Sequence, residues 1–536
     1  MAQLVDLFAY LSVLLRGAVL VLQTLTVGTV TFDLLVLRPG GAEAQPARQG
    51  QRRWTAWASL GLAVAWLLWL ALDAAVLVGT SDLGPRDVLG ADFVLTGLVV
   101  SVCAVVLAAL SFRAAVPTPW LLLPALGVLV GATATSHAAA RLEDRPLLLA
   151  LTFVHQAAVA LWIGGLPSLL RAVRRVPAEA ARALVVRFSR LALACVAALF
   201  LAGLGLSVFY VGTPQGLYGT AYGAMVGAKA GLFALLMVLG ALNFFLVRRL
   251  DRDASELPRR IVRLVECEVG IGLAVILAAA SLTSQPPAVD MSVDRTDAAT
   301  IVDRFTPHLP RIFRTDVSHP PPGLIFPDSG QKLLSYIPGQ SVVGPSRPEE
   351  IAFSEDNHQW SGFFVFLIGV LAILAATGRA RWARHWPLVF LGLFVFLFLR
   401  ADDNYWPLGP EPFFRGFLVP DVVQHRAFTL LIAAFAVFEW RVRTERASRP
   451  WMALVFPLVC ASGGALLLTH SHALANVREE QLAELSHIPI AVLGIAAGWA
   501  RWLELRLPPG DRRLPARIWP VCLLLVGFLL LIYREG

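Results

Sequence analysis

Charge is what this sequence has least of. Asp, Glu, Lys and Arg together make up 15% of 536 residues, whereas 57% are hydrophobic. Soluble domains carry about a quarter charged residues, so a water-exposed globular protein of this length is excluded. Cysteine is equally scarce: Cys103, Cys195, Cys267, Cys460 and Cys522 stand singly in apolar runs with no C-x-x-C spacing. That excludes a disulfide framework and a thiolate metal centre, and leaves the cysteines as small packing residues. Only Lys229 and Lys332 are lysines. No G-x-x-x-x-G-K-[ST] phosphate loop, H-E-x-x-H helix or nucleophile elbow occurs, so ATP-driven pumping and hydrolytic catalysis lack their residues and no enzyme is expected.

What the chain has instead is apolar length. Mean hydropathy is +0.67, and runs of about 20 apolar residues, the number that crosses roughly 30 Å of hydrocarbon, recur throughout. Short alternating segments, the mark of a barrel, do not. The pattern predicts an all-α, polytopic transmembrane helix bundle of about fourteen spans. Eight are expected near 4–37, 54–79, 92–112, 119–136, 147–170, 188–211, 222–247 and 262–283. Six follow near 358–377, 386–400, 423–440, 451–470, 486–505 and 518–533, the span at 386–400 being short. This divides the chain into a four-span region 1–146, a four-span core 147–287, a proline-rich extracytoplasmic stretch 288–357 expected to lie as a cap, and a six-span region 358–536. The first apolar stretch has no basic residues ahead of it and is expected to stay as a span.

Arginines collect in alternate connections, around Arg48 to Arg53, Arg171 to Arg190, Arg248 to Arg263, Arg379 to Arg384, Arg441 to Arg449 and Arg506 to Arg517. The positive-inside rule makes these loops cytoplasmic and puts both termini outside. The formal charge of +8 is thereby assigned to membrane topology, and nucleic acid is not an expected partner; the lipid bilayer is.

On this map nine of the ten histidines fall on the outer side, His385 alone landing inside. Neutral imidazole is the commonest metal ligand and also ligates haem iron, so the outer face is the expected place of a metal site. His155 lies two turns into its span on the face of Trp162. His137 and His472 end spans, while His358 and His425 open them, His425 after a loop bearing Asp402 and Asp403. His470 and His472 form an H-x-H pair whose side chains diverge by about 200° on a regular helix and converge only if the helix frays. With His487 and Glu484 across a short loop they make the densest cluster, suited to divalent copper or zinc. His308 and His319, in the proline-rich stretch, read as solvated.

Two segments echo each other. SHAAARLEDRPLLLALTFVHQ begins at Ser136 and SHALANVREEQLAELSHIPI at Ser471; each ends a span, turns outside and places a second histidine early in the next span, as parallel transporter repeats do. Arg16 and Lys229 sit at membrane depth, where charges are costly and face the bundle interior; Asp33 and Asp73 are candidate partners.

Arg187-Phe-Ser-Arg190, Gly203, the Gly219-Thr-Ala-Tyr-Gly223 turn, Lys229, Asn243 and Leu282-Thr-Ser-Gln-Pro-Pro287, with His155 and the Ala-Leu-Trp-Ile-Gly-Gly stretch ending at Gly165, together resemble the copper resistance D (CopD) family. The resemblance runs from about 147 to 287, with the part after 358 as an extension. It implies a bacterial inner-membrane protein of copper homeostasis that moves copper or handles it at the periplasmic face, with a periplasmic copper-binding protein as a candidate partner. The family's setting departs here in methionine: only Met1, Met225, Met237, Met291 and Met452 are present, and this scarcity of soft thioethers favours a histidine site while leaving the copper oxidation state open. The candidate metal ligands are His155, His470, His472, His487, His137, His425 and His358. Haem held by paired histidines, in a b-type electron carrier, is the alternative cofactor, and periplasmic-face copper delivery the alternative role.

Overall fold

The computed structural model describes residues 2–81, 83–113, 116–248, 257–291, 295–310, 348–402, 405–407, 409–418, 420–446, 449–469 and 477–534. Among them the chain is helical, with one isolated bridge between Tyr405 and Glu411. Eleven helices are long and apolar enough to cross a membrane. The other three expected positions are helical too, at Thr118–Ala134, Leu257–Leu282 and Pro420–Arg443. Two compact units form, one from Gln3–Leu217 with Met225–Ser292 and the other from Tyr218–Ala224 with Val293–Gly536.

Unit one contains α1 (Ala2–Phe32), α2 (Gln45–Thr80), α3 (Asp92–Phe112), α4 (Leu122–Ala134), α5 (Arg145–Trp162), α6 (Leu166–Val173), α7 (Ala178–Tyr210), most of α8 (Ala221–Arg248) and α9 (Leu257–Leu282). Lipid is as apolar as leucine, so these helices associate by close packing rather than by expelling water. Val19, Leu62, Trp66, Val100 and Val128 interlock at the centre, while Val102, Leu123 and Leu201 stay exposed, as lipid-facing side chains do. Between α5 and α6 the helix breaks at Gly164-Gly165, and Pro167 restarts it in the first turn. A Cβ on Gly164 would lie 2.0 Å from the Thr24 carbonyl oxygen, and one on Gly28 would lie 2.4 Å from that of Ala160. The paired glycines therefore let α1 cross α5 backbone to backbone.

Polar contacts gather at the ends where arginine collects. Asp33 accepts from Arg48 Nε at 3.1 Å and from Thr118 Oγ1 at 2.7 Å, and Gln51 donates to Ser168 at 2.7 Å. Asp33 is thus engaged at its own helix end and is not the partner expected for Arg16 or Lys229. Arg16 does face the interior: it is 7% exposed and its guanidinium lies 4.9 Å from the Trp69 ring and 5.6 Å from Trp66, with Asp73 as its electrostatic partner.

Unit two contains α10 (Pro348–Ala376), α11 (Val389–Arg400), α12 (Pro420–Arg443), α13 (Val455–Leu467), α14 (Val477–Arg506) and α15 (Arg513–Leu531). The short span at 386–400 gains its length from a 3-10 stretch, Arg381–Leu388, which runs straight into α11. α10 and α15 meet most closely. A Cβ on Gly527 would lie 2.2 Å from the Phe366 nitrogen, and ones on Gly362 and Gly369 would lie 2.6 Å from the backbone of Leu531 and Leu524. Trp386, Phe456 and Trp519 close the opposite end of the unit's core around the Arg443 guanidinium, 4.6 Å from the Trp386 ring. His385 accepts from Trp440 Nε1 at 2.8 Å, which gives this expected inner histidine a structural task.

Candidate functional site

The helices that carry His358 and His487 begin earlier than the hydropathy pattern implies. α10 starts at Pro348 and α14 at Val477, because charged turns such as Pro348-Glu-Glu extend a helix beyond its apolar run: proline suits the first turn and acids suit the N-terminal dipole. His358 therefore lies on the third turn of its helix rather than at its mouth, and Glu484 lies on α14 with His487 rather than in the loop before the span.

The two imidazoles meet. The ring centroids of His358 and His487 are 6.1 Å apart, and Tyr533 stacks on His358 at 4.0 Å while lying 6.2 Å from His487. Two imidazoles sharing one ion through bonds of about 2 Å have centroids roughly 5 Å apart in a tetrahedral site and roughly 6 Å apart in a near-linear one. His358 Nδ1 is 2.8 Å from the Ser354 carbonyl oxygen. A carbonyl only accepts, so Nδ1 carries the proton and Nε2 keeps its lone pair, the arrangement in which a backbone partner orients a ligating histidine. Glu355 and Glu484 precede the two histidines by three residues each, one helical turn away on the same side, and both are buried. Around this end the short helix Ala298–Phe305 is tied down by Arg304 Nε donating to Ser486 Oγ at 2.8 Å and by Asp303 pairing with Arg534 at 2.7 Å.

His425, on the second turn of α12, pairs through Nδ1 with Asp402 Oδ1 at 2.9 Å, and Arg426 lies 4.0 Å from the other carboxylate oxygen. The His425 side chain is half exposed, so this contact stands at the surface.

In unit one the histidines are separate. His155 Nδ1 is buried without a hydrogen-bond partner. Its ring packs on α7 at Gly203, where a Cβ would stand 3.7 Å from Cε1 and Nδ1, and the charged group acting on it is Lys229. His137 opens the four-residue helix His137–Ala140 beside a cavity of about 280 Å3 that Arg16, Trp69, Thr135 and Ser284 also line. Its Nε2 is buried and unpartnered, and its ring lies 6.5 Å from Tyr210. Arg141 pairs with Asp290 at 2.6 Å near the same ring. Burial first, then the charges of Arg16 and Arg141, push the His137 pKa below its ordinary value, against the opposing hydrogen bond to the Leu282 backbone and the Asp290 charge.

His319, His470 and His472 lie outside the described residues, and the H-x-H pair and the second half of the Ser-His-Ala repeat fall there with them. His308 is described at the surface, 3.4 Å from the Thr306 carbonyl oxygen. Among the described residues no three His, Cys, Asp or Glu side chains gather closely enough to hold a metal ion; what they offer is the two-imidazole pair. Of the seven candidate ligands the structure brings together His358 and His487 within unit two, and pairs His425 of the same unit with Asp402. Tyr533 escaped the sequence reading, since a lone tyrosine after the last apolar run carries no signal of its own.

Residues 182–282, from early in α7 to the last residue of α9, match the family model for Copper resistance protein D (CopD). The chain is also similar to Copper transport protein CutJ of Bacillus subtilis (strain 168), at 32% identity over 164 residues, which is 30% of this chain and 29% of that relative. The shared segment thus spans less than a third of the relative's length. No solved structure matches the chain. The segment 182–282 of this multi-span membrane protein, carrying the Gly203 on which His155 packs, is thus similar to the CopD family.

Proposed function

We propose that this protein handles copper at the bacterial inner membrane, capturing the ion at its outer face and moving it across the bilayer without acting as an enzyme. The observation that carries the reading is the His358–His487 pair, two imidazoles from separate helices at 6.1 Å. Nitrogen donors of this kind suit copper, and the pair is framed by buried carboxylates on the same helix faces, which favour a cation. The copper named in the relative CutJ and in the CopD family supports the choice of ion. A periplasmic copper-binding protein fits as the donor.

Metal analysis of the purified full chain tests this directly. Wild type is expected to retain copper, and His358→Ala with His487→Ala to lose it; equal copper in both would overturn the reading. Uptake into vesicles separates transport from delivery at the outer face. A b-type haem carrier needs two imidazoles on opposite sides of a haem, and His155 faces Gly203 instead. A Soret band in the same sample would revive that alternative.

A further inference from the structure

A second cavity of unit one, about 240 Å3 in volume, lies within the bundle of α5 to α9. Trp162, Phe188, Met237 and Phe244 wall it, and Ser189, Asn243 and Glu268 are polar side chains in its lining. Asn243 and Glu268 are buried, at 8% and 4% exposure. Asn243 Nδ2 donates to Glu268 Oε1 at 2.5 Å. With Glu268 ionised its oxygen accepts from the amide nitrogen, and Oδ1 is the atom left over. That oxygen is buried with no hydrogen-bond partner. An unmet buried acceptor is costly, and at membrane depth there is no bulk water to meet it. Apolar walls with a few polar groups are the make-up of a ligand site.

We propose that this cavity binds the ring of a membrane-soluble hydroquinone, with a ring hydroxyl donating to Asn243 Oδ1. Three features select that occupant. The missing partner is a hydrogen-bond donor, which a lipid acyl chain does not have. The walls include Trp162, Phe188 and Phe244, whose rings pack edge or face against another aromatic ring. The volume is below the roughly 300–1,000 Å3 of ordinary ligand pockets, enough for a ring while its tail remains in the bilayer. An oxidised quinone brings only acceptor oxygens against an acceptor, so the site discriminates between the two redox forms of one molecule by hydrogen-bond polarity.

The test uses the purified full chain in nanodiscs under anaerobic conditions, titrated with a short-tailed ubiquinol and with the corresponding ubiquinone. The quinol is expected to bind at least about tenfold more tightly. Asn243→Leu should erase that preference, and Ala192→Phe, which fills the cavity and leaves the amide in place, should abolish binding of both forms. The second variant carries the test if the first fails to fold. Equal affinity for quinol and quinone, a preference that survives Asn243→Leu, or mass spectra in which phospholipid alone occupies the protein while added quinol does not bind, would each overturn the proposal.

Discussion

The two units use the same residue type in opposite electrostatic settings. His137 and His155 of unit one keep company with cations, Arg16 and Arg141 for the first and Lys229 for the second. His358 and His487 of unit two face each other, each one turn from a buried glutamate, and His425 pairs with Asp402. A metal cation is repelled by the first arrangement and attracted by the second. Imidazole alone is therefore not the signature of an ion site; its neighbours decide what it can hold.

The largest test of this contrast is copper stoichiometry. Replacing both His358 and His487 with alanine should lower copper affinity by roughly a hundredfold or more, in line with the loss of ligands whose outer partners alone are worth 10–100-fold, whereas His137→Ala and His155→Ala should shift it little. Isothermal titration on the four proteins reads the difference, and a large loss from the unit-one changes would break the contrast. Next in size is Gly203→Leu. Alanine fits at the 3.7 Å available, but leucine must displace the His155 ring, and overpacking of this kind costs about 1–3 kcal/mol; thermal unfolding in detergent would register it, with Gly203→Ala near wild type.

Smaller still is the effect of acid on unit one. His137 is held neutral in the folded state, so the unfolded chain binds its proton first as pH drops. Its contribution to stability is complete above the ordinary histidine value of about 6.5 and is lost as pH falls below it. His137→Gln should flatten that part of the stability profile. The least effect belongs to His425→Gln: a pair whose histidine is half exposed contributes at most about 1 kcal/mol, and a loss well beyond that in the same unfolding assay would show His425 to be more than a surface partner.

Much of this fold was legible because the bilayer writes in long strokes. A 20-residue apolar run admits few structures other than a helix, and a helix occupies each of the fourteen positions read from hydropathy. Helix starts are harder to place: the polar turns of Pro348 to Asn357 and Val477 to Glu484 carry helical residues but no hydropathy, so His358 reads as the mouth of its helix and His487 as early in its span, whereas both lie turns within. The convergence of His358 with His487 could not be read at all, since contact between residues on separate helices depends on how those helices cross. Arg16 was placed correctly in the interior from its cost in lipid, while its stacking on Trp69 and Trp66 is a matter of packing that no spacing announces.

The glycine contacts between α10 and α15 reach further than their own location. Gly362, Gly369 and Gly527 bring the two backbones together, and the same two helices deliver His358 and, just beyond the end of α15, the Tyr533 ring that lies flat on it. A side chain at any of the three would wedge the pair apart or slide one rod along the other by up to a helical turn, about 5.4 Å, more than the whole thickness of that ring stack. The His358 end of unit two is thereby set like the jaw of a pair of pliers, aligned by a hinge pin several turns down the handle.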